Sequence, residues 1–180
     1  MGTFEDHIEA GRIAKKVREW GKGLFKEGEK LLDIAETVEN KIREEGAEPA
    51  FPCCLSLNGL AAHYTPSIND TLTLTKGDVV KFDMGTHVNG KVADTACTLE
   101  IGTNKYQKLI EASHEALQAA IKIMKPGLAI REIGKVVSKT IISKGYTPII
   151  NLSGHGVSDY IVHDEPGIPN YDNEDETTLT

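Results

Sequence analysis

Two aspartates and three histidines are the residues of this chain best placed by type and spacing to do chemistry. Asp83 and Asp94 flank Asn89-Gly90, within the β-rich runs Val79–Met84 and Lys91–Ile101. Asn-Gly is a strong hairpin signal, because both central positions of a type I′ turn need positive φ. A turn centred there opposes residues whose numbers sum to 179, so Asp83 faces Ala96, and Asp94 lies two places along the same strand. Residues two apart share a face, which makes the carboxylates diagonal neighbours, roughly 7–8 Å apart at the backbone, provided no bulge breaks the parity. Acids are depleted from strand interiors. Two like charges on one buried face repel unless one is protonated or a cation lies between them. The pattern points to a carboxylate pair holding one or two metal ions. Its rival is a solvated hairpin face on which the acids are incidental.

Of the six histidines, His155 stands in Gly154-His155-Gly156, just past the apolar run Ile149–Leu152, which is expected to be a short strand. His163 follows before Asp164-Glu165-Pro166, and His63 ends an Ala-Ala-His run ahead of Pro66. Any one alone more often is a structural histidine; three beside Gly or Pro breaks, with a carboxylate pair elsewhere, point to a site. His7, His87 and His114 are expected at the surface. Carboxylates with a neutral imidazole suit Mn, Fe, Co or Zn better than Ca or Mg. Two such ions about 3.5–4 Å apart could share a carboxylate and a hydroxide. Coordination lowers the pKa of water from 15.7 to about 7, which makes that hydroxide a nucleophile at neutral pH. Two Asp and one His leave a pair of ions short of protein ligands.

The whole chain bounds the rest. Its 180 residues and 39% apolar content suffice for one compact domain, or for two small lobes. A net charge of −7 leaves no electrostatic footprint for nucleic acid. The basic residues of Arg12–Lys30 alternate with Glu, the pattern of a solvated helix face. No signal peptide and no 18-residue apolar run is present, so no membrane association is expected. Three cysteines, Cys53, Cys54 and Cys97, are an odd count with two adjacent, which argues against a disulfide framework and suits a reducing cytoplasm. Cys53-Cys54 packs best as a pair of small apolar side chains.

Helical periodicity positions the hairpin. A helix capped by Thr3 and Asp6 runs to Gly21 or Gly23, with Ile8, Ile13, Val17 and Trp20 inward. A second covers about Glu29 to Glu45, a third about Lys105 to Met124 and a fourth about Ala129 to Ser143. The third turns Leu109, Ala112, Ala116, Leu117, Ala120 and Ile123 inward. Shifting the sequence by 99 lays Gly28 on Gly127, Gly46 on Gly145 and Pro49 on Pro148, and Thr178-Leu179-Thr180 resembles Thr73-Leu74-Thr75. Two repeats are therefore expected, about 1–102 and about 104–180. A second hairpin would begin just after Thr180, which leaves the second repeat incomplete.

These motifs resemble methionine aminopeptidases of the pita-bread metallopeptidase family over essentially the whole chain. The likeness is carried by Phe51-Pro52, Ala61-Ala62-His63-Tyr64-Thr65-Pro66, the hairpin with Asp83-Met84-Gly85 and Asp94-Thr95-Ala96, and Gly154-His155-Gly156 with His163. Glu9–Ala14 and Ala61–Pro66 look like the archaeal and eukaryotic type 2 branch; His163–Pro166 with Ile168–Tyr171 looks closer to type 1. Type 2 is favoured because its features are more numerous. The resemblance implies an α+β pita-bread (creatinase/aminopeptidase) fold, with pseudo-two-fold α-β repeats around a curved antiparallel sheet. Residues 1–180 would form a single catalytic-type domain lacking its C-terminal part. It further implies two divalent ions (Co, Mn, Fe or Zn) held by Asp83, Asp94 and His155, with two glutamate ligands beyond Thr180. His63 and His163 would contact substrate, and Phe51 and Val162 would line a methionine pocket. The implied activity is removal of the initiator methionine from nascent polypeptides in the cytoplasm, with the ribosome a possible partner and a 180-residue chain of little activity. The alternatives are a non-catalytic module that binds nascent chains or ribosomes, and another aminopeptidase of the same family, such as a proline-directed one.

Overall fold

The computed structural model describes residues 2–180; Met1 lies outside them. The described chain forms two compact units. The first comprises residues up to Lys105 together with Val157–Val162; the second comprises Tyr106–Gly156 and His163–Thr180.

In the first unit, helices α1 (Phe4–Gly21) and α2 (Leu31–Glu44) cover one face of an antiparallel sheet of order β1-β2-β3. The strands are β1 (Glu48–Leu57), β2 (Val79–Val88) and β3 (Lys91–Glu100). α1 begins in a complete capping box: the Asp6 amide donates to Thr3, and the Thr3 amide donates to the Asp6 carboxylate. Its buried stripe is Ala10, Ile13, Ala14, Val17 and Gly21. Ile8 and Trp20, expected inward, are 58% and 43% exposed. At about 100° per residue Ile8 lies across the helix from that stripe and Trp20 at its edge. The small residues let the helix approach the sheet closely: a Cβ on Gly21 would stand 3.1 Å from the Phe82 ring. Thr86, fully buried, donates its hydroxyl to the Ala10 carbonyl at 2.9 Å and so ties α1 to β2. Phe82, Ile13, Leu31, Ile42, Leu55 and Met84 form the centre of this core.

In the second unit α3 (Gln107–Ile123) packs against α4 (Ile130–Ser143), through Ala116, Ala120, Ile130, Ile133 and Val137. Alanines set the spacing, so the larger Leu109 and Leu117, expected inward, stay outside the seam at 44% and 51% exposure. The run Ile149–Leu152 does not form the expected strand. Its counterpart in the first unit pairs with β2, whereas no strand of the described residues lies beside 149–152. The carbonyls of Ile149 and Leu152 accept instead from the Asn170 side-chain amide. A two-stranded hairpin of β4 (Gly154–Ser158) and β5 (Ile161–Ile168) follows, its tip assigned to the first unit.

One hydrogen-bond pattern occurs in both units. Gly28 donates to Leu74 O at 2.8 Å, Leu74 to Glu29 O at 2.9 Å and Leu31 to Leu72 O at 3.0 Å. Gly127 donates to Leu179 O at 2.7 Å, Leu179 to Leu128 O at 2.9 Å and Ile130 to Thr177 O at 2.8 Å. Isolated bridges Lys30 to Thr73 and Ala129 to Thr178 complete each set. In both units an extended segment is pinned to the start of the helix that follows a left-handed glycine, Gly28 at φ 89° and Gly127 at φ 83°.

Candidate metal centre

The β2–β3 ladder runs without a bulge from Val79 opposite Glu100 to Val88 opposite Lys91. Asp83 therefore pairs with Ala96 and Gly85 with Asp94, and the two aspartates project diagonally from one face. Val80, Phe82, Met84 and Thr86 take the opposite face, against the helices. The aspartate face is not the buried one expected from the apolar neighbours: Asp83 is half-buried and Asp94 exposed. The neighbours that made this ribbon look buried belong to the helix side of the pleat.

Sequence reasoning missed a contributor to this face. Cys54 pairs with Asp83 across β1–β2, so thiol and carboxylate share a row. Its Sγ lies 3.4 Å from both the Pro52 carbonyl and the Thr65 hydroxyl. Burial pushes the thiol above its ordinary range, and the charges of Asp83 and Asp94 add to the rise. A pair of adjacent cysteines carries no signal separating a core thiol, Cys53, from one beside two carboxylates; strand parity does.

The pairing of β1 with β2 shifts between Pro49 and Phe51 and again between Phe51 and Cys54. Pro52 has no N–H for a ladder, and irregularities of this kind re-aim a side chain. Here they lay the Phe51 ring over Gly85: a Cβ on Gly85 would stand 2.7 Å from Phe51 Cδ1. Phe51 thus covers the aspartate face beside Asp83. His63, exposed and at a φ of 66°, begins a segment laid alongside β1. Leu55 N–H donates to Tyr64 O at 2.7 Å, Tyr64 N–H donates to Ser56 Oγ at 3.1 Å, and the Tyr64 hydroxyl donates to Asp70.

In the second unit the rings of His155 and His163 meet edge to face, 4.3 Å between centroids. His155 Nδ1 is 3.0 Å from the Gly156 carbonyl. A carbonyl only accepts, so this bond puts the proton on Nδ1 and leaves the lone pair of a neutral ring on Nε2. Gly156 is required by close approach, since a Cβ there would stand 2.9 Å from the Glu165 carbonyl carbon. Val162 belongs to the hairpin tip in the first unit and is half-buried. His7 and His114 are exposed as expected, but His87 is not: it is half-buried against Tyr160, with its Nδ1 buried and without a hydrogen-bond partner among the described residues.

The structure thus brings Asp83, Asp94 and Phe51 together in the first unit and His155 with His163 in the second. Among the described residues no group of three or more His, Cys, Asp or Glu side chains is arranged to hold a metal ion. The donor chemistry still fits a divalent first-row cation: two carboxylates on one face, and a histidine whose backbone bond orients Nε2 as the ligating nitrogen.

Residues 5–180 match metallopeptidase family M24, and the chain belongs to that family. A methionine aminopeptidase of Methanocaldococcus jannaschii is 52% identical over 93% of this chain and 56% of its own length. The chain spans about half the length of the relatives it matches. A methionine aminopeptidase structure from Thermotoga maritima superposes with a TM-score of 0.88 at 25% identity, over 99% of this chain and 76% of the other. A prolidase from Pyrococcus furiosus superposes at 0.80 with 28% identity, over 100% and 54%. The fold is the α+β pita-bread fold of these M24 proteins, and a metallopeptidase family implies divalent metal ions.

Proposed function

We propose that the protein to which this chain corresponds removes N-terminal methionine from polypeptides by metal-dependent hydrolysis of the first peptide bond. The observation that carries it is the Asp83–Asp94 pair, set diagonally on one sheet face by a bulge-free ladder and flanked by the Phe51 ring. Similarity to archaeal methionine aminopeptidases supports the substrate; the prolidase likeness extends to the fold at lower identity.

Asp83, Asp94 and His155, the last through Nε2, would be ligands of two divalent ions. When bound, such ions activate water and polarise a carbonyl. His63 and His163 would donate to the scissile carbonyl oxygen and the charge it develops. Phe51 and Val162 would form apolar walls for the thioether side chain. Nascent polypeptides are the natural substrates, and the cytoplasm, where N-termini emerge, is the proposed location. Among the described residues no helix is long and apolar enough to cross a membrane, and all three cysteines are free. We further place the chain in a single catalytic domain with repeats near 1–102 and 104–180, the recurring bridge pattern supporting the division.

The test is release of free methionine from a Met-Ala-Ser peptide by the full-length protein loaded with Mn or Co. Turnover that survives Asp94→Asn, or that is undiminished after chelation, sinks the assignment.

A further inference from the structure

Tyr160 occupies an unusual position. It is the second residue of the two-residue turn joining β4 to β5, and its φ is 61°. Turns that need positive φ there take Gly or Asn, and a bulky residue in that region is strained. Its contacts, all within the first unit, account for its presence. The Tyr160 N–H donates to the Gly90 carbonyl at 2.8 Å. Its ring lies on the bare α-carbon of Gly90, where a Cβ would stand 2.6 Å from Tyr160 Cδ2. The ring also meets His87 edge-on at 5.4 Å between centroids. Next to it, Asp159 pairs with Lys91 at 2.5 Å, both side chains partly buried.

Gly90 and Lys91 belong to the turn and first strand position after Asn89, in the hairpin that carries the aspartates. We propose that Tyr160 is a positioning residue: with Asp159 it latches the β4–β5 tip, and so Val162 two residues on, to the turn of the Asp83–Asp94 hairpin. The latch fixes one wall of the methionine pocket relative to the face bearing Phe51. This rests on the functional reading above. Gly90 then has two jobs, supplying its positive φ of 91° and leaving room for the Tyr160 ring.

The test uses the full-length, metal-loaded protein and two readouts. Tyr160→Ala should speed hydrogen exchange of the residue-160 amide at least about tenfold, because opening the tip no longer breaks the ring contacts. It should also lower the ratio of kcat/KM for Met-Ala-Ser over Leu-Ala-Ser about fivefold, since discrimination depends on the placed wall. Tyr160→Phe keeps ring and backbone and should stay within about twofold of wild type on both counts. Lys91→Glu and Asp159→Lys should each loosen the tip, and the double exchange should restore protection. An unchanged exchange rate in Tyr160→Ala, equal losses on the two peptides, or failure of the double exchange to restore protection would overturn the latch. If wild type releases no methionine, the functional reading fails separately, and exchange at residue 160 alone decides the latch.

Discussion

Gly85 lies under the ring of Phe51 and directly across the ladder from Asp94. A methyl group there has no free space, and an aromatic ring held by an irregular strand cannot swing aside cheaply. Gly85→Ala should therefore destabilise the fold by about 1–3 kcal/mol, the range for overpacking. Urea denaturation is the measurement. Adding Phe51→Ala should recover part of the loss, so additive costs in the double variant would refute the contact.

Ion binding to the aspartate face should raise thermal stability. At a free ion concentration 100 times Kd the gain is about 2.7 kcal/mol. Scanning calorimetry of the full-length protein with Mn and with a chelator reads this difference. Asp83→Asn and Asp94→Asn should each abolish most of the metal-dependent rise in Tm; a rise of wild-type size in either would remove that residue from the ligand set.

Gly134 gives a prediction opposite to helix propensity. It sits inside α4, where Gly→Ala ordinarily gains up to about 1 kcal/mol. A Cβ there would stand 2.6 Å from the Tyr171 carbonyl carbon and 3.2 Å from the Pro169 carbonyl oxygen. Backbone cannot yield as a side-chain tip does. Gly134→Ala should cost stability, and an unchanged or raised Tm contradicts the packing of residues 169–171 on α4.

The buried thiol of Cys53 makes stability depend on alkaline pH. Burial raises its pKa far above the ordinary 9.0, with negative charge at Glu39, Cys54 and Asp83 adding to the rise. Above that ordinary value the unfolded chain loses the proton while the folded chain keeps it. The folded state then binds more protons, so stability is intact below pH 9 and falls as pH rises beyond it. The urea midpoint should drop between about pH 9 and pH 11, and drop less in Cys53→Ala. Equal slopes in the two proteins would contradict the assignment.

Much of this was legible in the sequence because it rests on local rules. Asn89-Gly90 dictates the hairpin turn, and the turn dictates the register that puts Asp83 and Asp94 on one face. The capping box at Thr3, the four helices and the recurring glycines follow from periodicity and positive φ in the same way. Ile8, Trp20, Leu109 and Leu117 were misplaced because apolarity identifies what gains from burial, while small residues such as Ala10, Gly21 and Ala116 decide which face gets close enough. Ile149–Leu152 is apolar but unpaired, and a strand requires a partner for its backbone.

The sequence by itself determined the turn, the pairing parity and the chemistry of the donors, since these depend on neighbours a few residues away. Only the tertiary structure decided that Cys54 stands in the row of Asp83, that Phe51 covers Gly85 and that Tyr160 rests on Gly90. Each joins residues distant in the chain through a bulge, a bare α-carbon or a strained turn. Such contacts arise from backbones approaching more closely than a side chain allows, and no local spacing encodes that approach.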